Sequence, residues 1–431
     1  MILNDLASKQ KTNLPVIIIG AGIAGLCASY YLTKKNISHI ILERGEVANT
    51  WINERWDNFS LVNPNWAIKI PEFGFGTKFF PSKNPDGFLN KSQTIEYLKS
   101  FGGFVGSKIY TNENVDAVTK EKESYKIVTS KRVIRSDIVI VASGAFGNSY
   151  IPKINSDLSN NIFQIHSAEY KNHKQLSEGG VLVVGSGQSG AQIAEDLIES
   201  GKEVWLAVSK CGRRLRKYKG KDSSWWNYKM GLFDKTVDEV PFNDRWKCSP
   251  HTSGGRGGHD INLMDLYEKG LNLCGSVYSC SGNKVIFNDD LYENLKFSDD
   301  FAINWSKRVD DFIIRENMVT PPGSVIRDKR INKGNINSVP EMTLSPSISS
   351  VIWATGFRYN FDWIKLELTD KNGHPIQRRG VTRHNGLYFM GLQWMHTSKS
   401  AQFIGVGEDA EFIANDIRSK YIIDKRQDLE S

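Results

Sequence analysis

Short apolar runs alternate with helical segments along much of the chain, which is the pattern of parallel strands covered by helices. The run Val16-Ile17-Ile18-Ile19 precedes a helix predicted from about Ile23 to Lys35, and a second strand follows from His39 to Leu42. Small residues on this helix allow it to pack closely on a sheet. Residues 15 to 45 therefore predict a strand, a turn, a helix and a second strand.

The same unit recurs near Gly180. There the pattern predicts a strand at Val181 to Val184, a helix at Ala191 to Ser200 and a strand at Val204 to Val208. The remaining predicted elements are helices at Lys91 to Phe101 and 290 to 318, and strands near Ile109 to Val118, Tyr125 to Ser130, Ile138 to Val141 and Ser349 to Gly356. These elements predict an α/β fold of more than one domain.

Both units carry a glycine-rich turn of the form G-x-G-x-x-G directly after the first strand. The glycines are Gly20, Gly22 and Gly25 in the first turn, and Gly185, Gly187 and Gly190 in the second. A strand, a tight glycine turn and a helix start form the arrangement that binds a dinucleotide pyrophosphate. Two such sites in one chain imply electron transfer between two cofactors.

The residues that end the second strand of each unit differ. Glu43 lies close to the offset of about 20 residues at which a carboxylate meets the ribose hydroxyls of the adenosine. The corresponding strand of the second unit ends at Ser209, with Arg213 and Arg214 beyond it. A hydroxyl and arginines can bind a 2′-phosphate that a carboxylate would repel, so NADPH is favoured over NADH. The alternative is that the arginines belong to a solvated basic face.

Composition narrows the class of protein. The chain has 431 residues, of which 40% are hydrophobic and 24% are charged, and this composition suits a globular enzyme. The net charge of +7 is modest for this length and is not by itself a reason to expect nucleic-acid binding, so no nucleic-acid partner is predicted. The segment Met1 to Asn13 is polar, and no apolar run is long enough for a membrane span, so we expect a cytoplasmic protein without a membrane partner.

The five cysteines have no regular spacing and form no C-x-x-C. We therefore expect reduced thiols rather than the paired dithiol of a flavoprotein disulfide reductase. The histidines, cysteines and carboxylates have no metal-ligand spacing, so no metal site is predicted.

Several further motifs resemble the class B flavin-containing monooxygenases, in particular the bacterial and plant-type members, which include the plant indole-pyruvate monooxygenases. The resemblance extends from about Pro15 to Ile417. The motifs are Ala354-Thr355-Gly356, Leu387-Tyr388-Phe389-Met390-Gly391, Gly405 to Ala414, and His166 with Tyr170, which match the second half of the family's F-x-G-x-x-x-H-x-x-x-(Y/F) fingerprint. Asn160 and Ile162 depart from its first half, and Ala48-Asn49-Thr50-Trp51 departs from the family's G-G-x-W.

The resemblance implies two Rossmann-like dinucleotide-binding domains of the three-layer ββα type, with the NADPH domain inserted in the FAD domain. On this view residues 1–172 and 336–431 bind FAD and residues 173–335 bind NADPH. Residues 210–275 form an irregular insert that faces the substrate.

The resemblance also implies a reaction. NADPH reduces FAD, and the reduced flavin reacts with O2 to form a C4a-(hydro)peroxyflavin that oxygenates a small nucleophilic nitrogen or sulfur compound, or a 2-oxo acid. An NADPH oxidase or reductase without oxygenation, a Baeyer–Villiger monooxygenase and a non-catalytic FAD-binding sensor stay open as alternatives. The partners are then a small-molecule substrate and O2. The oligomeric state is open, and a homodimer is one alternative.

Site residues follow from the same resemblance. Asn63 is the candidate catalytic residue, because an amide near the reactive face of the flavin donates and accepts hydrogen bonds without titrating. Asn65 is a rival, and a turn before Pro64 is the structural alternative. Besides the glycines named above, the implied cofactor-binding residues are Glu43, Arg44, Thr50, Trp51, Asn63, Val115, Ala142, Gly144 and Asp409 for FAD, and Gln188, Ser189, Ser209, Arg213 and Arg214 for NADPH.

Overall fold

The structure is a computed structural model that describes residues 16–334, 336 and 338–430. The predictions for Met1 to Asn13 and for Pro15 lie outside these residues. Within the described part of the chain, no helix is sufficiently long and apolar to cross a bilayer.

Strands and helices are numbered in chain order through the described residues. The strands are β1 (Val16–Ile19), β2 (His39–Leu42), β3 (Lys108–Tyr110), β4 (Val115–Glu121), β5 (Ser124–Thr129), β6 (Val133–Ser136), β7 (Ile138–Val141), β8 (Phe163–His166), β9 (Gly180–Val184), β10 (Val204–Ala207), β11 (Lys217–Tyr218), β12 (Lys221–Asp222), β13 (Leu271–Cys274), β14 (Val277–Ser281), β15 (Lys284–Phe287), β16 (Glu341–Thr343), β17 (Ile348–Trp353) and β18 (Leu387–Phe389). The helices are α1 (Ile23–Lys34), α2 (Asn49–Asn53), α3 (Lys91–Phe104), α4 (Gln188–Glu199), α5 (Ser223–Lys229), α6 (Phe242–Arg245), α7 (Leu263–Glu268), α8 (Leu291–Arg315) and α9 (Val406–Glu430).

The first sheet is parallel and has the strand order β18-β7-β1-β2-β3 among the described residues. β1 pairs with β2 and with β7, and its side chains are buried on both faces because α1 and α9 pack together beside the sheet and β4-β5-β6 form an antiparallel layer that contacts β7. Burial on both faces explains why β1 is a continuous apolar run. This arrangement is the three-layer fold that the sequence predicts.

The second sheet repeats this plan with the parallel order β13-β10-β9-β17-β8, and the antiparallel strands β14-β15-β16 lie beside it. Its members β8 and β17 fall outside the predicted limits 173 and 335 of the NADPH-binding domain, because both pair along their length with strands of this sheet. Those limits therefore need correction: the second sheet begins by Phe163 and extends to Trp353. The insertion itself is as predicted, since the chain returns to the first sheet at β18.

The segment between α2 and α3 contacts the second half of the molecule at α4. Asp196 on α4 accepts hydrogen bonds from the hydroxyl of Tyr170 at 2.7 Å and from Asn58 at 2.7 Å. Trp56, which precedes this asparagine, is buried in the core of the second half, whereas Phe59 packs against both cores. The segment between α2 and α3 therefore connects the two dinucleotide-binding domains.

In each glycine turn the backbone of the helix lies close to the backbone of the preceding turn. Gly25 is the position in the first turn where a substitution best tests this constraint. A Cβ on Gly25 would lie 1.9 Å from the carbonyl oxygen of Gly20. We expect Gly25→Ala to lower the free energy of unfolding by about 3 kcal/mol, because α1 must move away from the sheet. Gly103→Ala, in α3 with no atom within 4 Å of the added Cβ, is the matched control and should be neutral or stabilising by about 0.5 kcal/mol. Urea unfolding measures both, and equal stabilities would contradict the expected constraint.

Candidate active site

The first glycine turn joins β1 to α1 and leaves one face open. Gly20 has φ +111°, and a Cβ there would lie 2.4 Å from the carbonyl oxygen of Ala142, whereas a Cβ on Gly22 would meet nothing within 4 Å. Gly22 is also the N-cap of α1 and provides no side-chain cap. The first backbone N–H groups of α1 are therefore available to an anion, as in pyrophosphate-binding turns.

The second turn repeats this geometry between β9 and α4. Gly185 has φ +100°, and a Cβ there would lie 2.7 Å from the carbonyl oxygen of Ala354; a Cβ on Gly190 would lie 1.8 Å from the oxygen of Gly185. Gly187 caps α4 without a side chain, and the half-buried Ser189 follows in its first turn.

Gln188 has a local partner. Its side-chain amide bonds the backbone of Thr252, donating to the carbonyl and accepting from the N–H at 3.3 Å, so it ties the 248–252 loop to α4.

Glu43 lies where the sequence predicts a ribose-binding carboxylate. It is 7% exposed, and its oxygens accept from the backbone N–H groups of Ala21 at 2.7 Å and Gly45 at 3.0 Å. These bonds hold the carboxylate beside the first glycine turn, and each oxygen keeps a second acceptor position for a ribose hydroxyl. Arg44 points to the surface and forms an ion pair with Glu54.

Ala142 and Gly144 follow β7 at the carboxyl edge of the first sheet, whereas Val115 lies in the antiparallel layer. Ala142 donates its N–H to Ile19 at 2.8 Å directly after β7, and Gly144 has φ +86° with open space around its Cβ position. Val115 begins β4 and pairs with Thr129. Because ligands of parallel sheets bind at the carboxyl ends of the strands, Ala142 and Gly144 lie at the expected edge.

An aromatic wall lies beyond the glycine turn. Trp51 on α2, next to the half-buried Thr50, has its ring centroid 5.6 Å from that of Phe59 and 5.9 Å from that of Phe403. The guanidinium of Arg55 lies 5.4 Å from the Trp51 ring. The wall joins α2 to the segment that precedes α9.

Asn63 lies next to this wall and reaches the same segment. Its side-chain amide donates to Oε1 of Gln402 at 3.3 Å, and the side chain is half-buried. Asn65, the rival, is 1% exposed and donates to the carbonyl of Asn84 at 2.9 Å, which holds a neighbouring loop. This bond gives Asn65 a structural role and leaves Asn63 as the more accessible amide.

Arg216 connects the segment of Asn63 to the irregular insert 210–275. Its guanidinium donates to the carbonyl of Val62 at 2.8 Å and to the carboxylate of Asp222 at 2.6 Å, and its side chain is 3% exposed. A Cβ on Gly254 would lie 1.8 Å from the carbonyl oxygen of Leu61, so the insert packs directly on the same segment. Asn63 therefore lies where the two halves meet.

Asp409 follows the start of α9 and is 3% exposed. Burial raises its pKa to about 6, and the hydroxyl of Ser400 partly offsets this by hydrogen bonding. Its Oδ2 has no hydrogen-bond partner among the described residues. A buried acceptor without a partner fits a ligand hydroxyl, such as those of the ribityl chain of a flavin.

His166 is fully buried and links β8 to the turn after β17. Its Nε2 donates to the carbonyl of Gly356 at 2.9 Å, and its Nδ1 accepts from the N–H of Ala168 at 3.1 Å. Burial lowers the pKa of this imidazole, so it stays neutral with the proton on Nε2. Its contacts suit a structural role at the domain crossing.

Arg213, one of the two arginines predicted to bind a 2′-phosphate, has another charged partner in the structure, and Arg214 stays a prediction. Arg213 forms a buried ion pair with Asp299 of α8 at 2.5 Å, where the carboxylate side chain is 0% exposed. Desolvation lowers the pKa of Arg214 to about 10, and its Nε has no partner within the described chain. Ser209 stays beside the second glycine turn, with its N–H bonded to Ser186 at 3.0 Å, and the exposed Lys210 follows it.

Sequence reasoning missed Gln402, Phe403 and Arg216. Gln402 and Phe403 belong to the segment 398–405, which has no element of its own, and they reach the site only because α9 packs against α1. Arg216 is one of several basic residues in a row, and nothing local distinguishes it from its exposed neighbour Lys217.

The raised pKa of Asp409 predicts a pH dependence of stability. Because the folded protein binds this proton more tightly than the unfolded chain, stability should fall as the pH rises from about 4 to about 6. In protein freed of flavin, the free energy of unfolding of Asp409→Asn should be larger than that of the wild type above pH 6, by on the order of 2 kcal/mol. Below pH 4 the two proteins should show the same dependence of this free energy on pH. Denaturant unfolding at several pH values measures this, with Glu411→Gln, an exposed acid on the same helix, as the control. Parallel wild-type and Asp409→Asn profiles would contradict the prediction.

Comparison with known proteins agrees with this geometry. The profile of the pyridine nucleotide-disulphide oxidoreductase family matches residues 17–226. An uncharacterized CzcO-like oxidoreductase of Geobacillus kaustophilus is 31% identical over 93% of this chain and 97% of its own length. The probable indole-3-pyruvate monooxygenase YUCCA8 of Arabidopsis thaliana is 25% identical over 95% of this chain and 90% of its own.

Among solved structures, the flavin-containing monooxygenase from Stenotrophomonas maltophilia superposes with a TM-score of 0.64 and 17% identity, over 94% of this chain and 98% of that one. At this identity the likeness concerns the fold. The relatives match along nearly the whole chain, and both glycine turns have the geometry of dinucleotide sites. The chain therefore belongs to the same family as the CzcO oxidoreductases, and its similarity to flavin monooxygenases identifies it as an enzyme of the class B flavin monooxygenase type, with FAD and NADP(H) as cofactors.

Proposed function

We propose that the protein is an NADPH- and O2-dependent monooxygenase that oxygenates a small nucleophilic nitrogen or sulfur compound, or a 2-oxo acid. The observation that carries this proposal is the position of Asn63. It is a half-buried amide at the meeting point of the two dinucleotide-binding domains, bonded to Gln402 on one side and next to the backbone that Arg216 holds on the other. An oxidase that only releases peroxide has no need of such a group.

FAD supplies the redox chemistry when bound: it accepts a hydride from NADPH and passes electrons to O2. The chain's own residues position it. The N–H groups that begin α1 would hold the pyrophosphate, Glu43 would accept from a ribose hydroxyl, and the unpartnered Oδ2 of Asp409 would accept from a flavin hydroxyl.

Asn63 then has a specific task. With both cofactors bound, an Nδ2–H group of Asn63 would be able to donate to an oxygen atom near the flavin, and the side-chain oxygen would be able to accept from a hydroxyl of the nicotinamide nucleotide. Because an amide does not titrate, it gives no proton to the oxygen atom and so does not promote the loss of peroxide. Trp51, Phe59 and Phe403 support this task by limiting the access of water.

We further propose that Ser209 and Lys210 bind the 2′-phosphate of NADPH in place of Arg213. Both follow β10 directly, and Ser209 is held beside the second glycine turn. The ammonium of Lys210 lies over the Phe297 ring at 4.9 Å and has no carboxylate partner among the described residues, so it is available to an anion.

Rapid mixing of the reduced enzyme with O2 in the presence of NADP+ tests the proposed function. The wild type should show a transient blue-shifted flavin absorbance before the oxidised spectrum returns, with little peroxide released. We expect Asn63→Ala to be reduced by NADPH at the wild-type rate, to lose the transient, and to release peroxide about tenfold faster, since one hydrogen bond to a charged group contributes about 1.5 kcal/mol.

Asn53→Ala, which removes an exposed amide on α2, is the control and should behave as the wild type. A wild-type enzyme without the transient over a range of pH would instead be an oxidase. If coupling in Asn63→Ala stayed normal, another residue would have the role assigned to Asn63.

Nucleotide selectivity tests the 2′-phosphate assignment. Lys210→Ala should raise the KM for NADPH about tenfold, through the loss of a charge-assisted hydrogen bond, and leave the KM for NADH nearly unchanged. Lys217→Ala, an exposed lysine on β11, should change neither constant. Steady-state flavin reduction with each nucleotide measures this, and an equal rise for both would show that Lys210 does not bind the phosphate.

A further inference from the structure

Two cysteines that the sequence leaves unrelated meet in the tertiary structure. The Sγ atoms of Cys211 and Cys248 are 3.2 Å apart, although 37 positions separate the residues. Cys211 is buried at the end of the β10 segment, whereas Cys248 is exposed in a loop of the insert. The other three cysteines, Cys27, Cys274 and Cys280, are buried elsewhere.

The exposed sulfur lies against the second glycine turn. A Cβ on Gly187 would come within 3.0 Å of Sγ of Cys248, and no other atom is within 4 Å of that position. The backbone N–H of Gln188 is close enough to this sulfur to lower the pKa of Cys248. Since this open glycine face and the first N–H groups of α4 are where a pyrophosphate binds, the sulfur occupies part of the space that NADP(H) needs.

The loop that carries Cys248 is attached to the same helix. The side-chain amides of Gln188 and Gln192 both donate to the carbonyl of Thr252, the latter at 2.8 Å. Residues 247–249 are exposed, so this part of the loop can move when the nucleotide binds, provided that nothing covalent holds it.

The two thiols differ chemically. The pKa of Cys248 is lowered by the hydrogen bond from Cys211 and by the N–H of Gln188, and an anion there also interacts favourably with the N-terminus of α4. The pKa of Cys211 is raised by the same hydrogen bond and by burial. Cys248 is therefore the more acidic thiol of the pair, and Cys211 is the less acidic thiol in contact with it.

We propose that Cys211 and Cys248 form a reversible disulfide that closes the NADP(H) site. Hydrogen peroxide is the oxidant: the Cys248 thiolate attacks one peroxide oxygen, the O–O bond breaks, and hydroxide leaves as water, giving a sulfenic acid. The Cys211 thiol then attacks this sulfur, the S–O bond breaks, and a second water leaves. In total, two thiols are oxidised, one peroxide is reduced to two waters, and a dithiol reductant reverses the step.

Closure follows from where the disulfide would hold the loop. The bond would tie Cys248 to the end of β10 and so keep the sulfur over Gly187, whereas the dithiol form leaves the loop free to make room for the pyrophosphate. This pair is next to the nicotinamide nucleotide and differs in place from a dithiol that exchanges electrons with a flavin. The inference requires NADP(H) binding at the second turn and does not depend on the proposed oxygenation.

The test is NADP+ binding to the FAD-loaded protein before and after treatment with hydrogen peroxide. We expect a Cys211–Cys248 disulfide in the peptide map, a rise in the Kd for NADP+ of about tenfold or more through loss of contacts at the helix N-terminus, and recovery with dithiothreitol. FAD should stay bound throughout, because the first turn has no cysteine beside its open face.

Cys248→Ser removes an exposed thiol and should keep its Kd for NADP+ after peroxide, and Cys211→Ala should do the same. Cys280→Ser, the matched control, should respond as the wild type. A treated protein whose thiols oxidise without this disulfide would overturn the inference. So would a disulfide that leaves the Kd unchanged, or a peroxide effect that persists in Cys248→Ser.

Discussion

The close approach of helix and sheet at two glycine turns is the constraint on which the rest of this structure depends. At Gly25 and Gly190 the backbone of a helix comes so near the preceding turn that a Cβ would overlap a carbonyl oxygen. This approach points the first N–H groups of α1 and α4 at the carboxyl edges of the two sheets. Each edge thereby becomes a site for a pyrophosphate, and the positions of the two cofactors follow.

The connection between the two sites is made by a small number of buried polar contacts. Arg216 satisfies its charge with Asp222 and uses its other donor on the backbone next to Asn63. A buried arginine with a carboxylate and a carbonyl holds a fixed geometry, since each partner would be costly to leave unpaired. The insert 210–275 is thus coupled to the segment that carries Asn63.

The second glycine turn also shows that one structural element can serve binding and control. Its glycine face is where a pyrophosphate would bind, and the sulfur of Cys248 lies against the same face. A nucleotide and this sulfur therefore compete for the same space. Under the proposed disulfide, the redox state of a surface loop therefore changes the affinity of the second site for NADP(H), without a long-range conformational change.

Much of the fold was predictable from short-range patterns. The apolar runs, the two glycine turns and Glu43 are local features whose spacing reflects the geometry of a strand, a turn and a helix, and the structure has them as predicted. Domain limits were less accurate, because β8 and β17 are short strands that join the second sheet through pairing partners far along the chain.

The sequence by itself determined that two dinucleotide sites exist. Glycines at these intervals are required because, within one strand–turn–helix unit, a Cβ would overlap the backbone. Only the tertiary structure decided which side chains complete them. Arg213 was a plausible phosphate ligand because of its position after β10, yet its guanidinium forms an ion pair with the buried carboxylate of Asp299, 86 residues away. Gln402 meets Asn63 across 339 positions, and two cysteines without a motif come into contact. Contacts of this kind depend on how helices and loops pack around the sheets, and a local sequence pattern does not predict that packing.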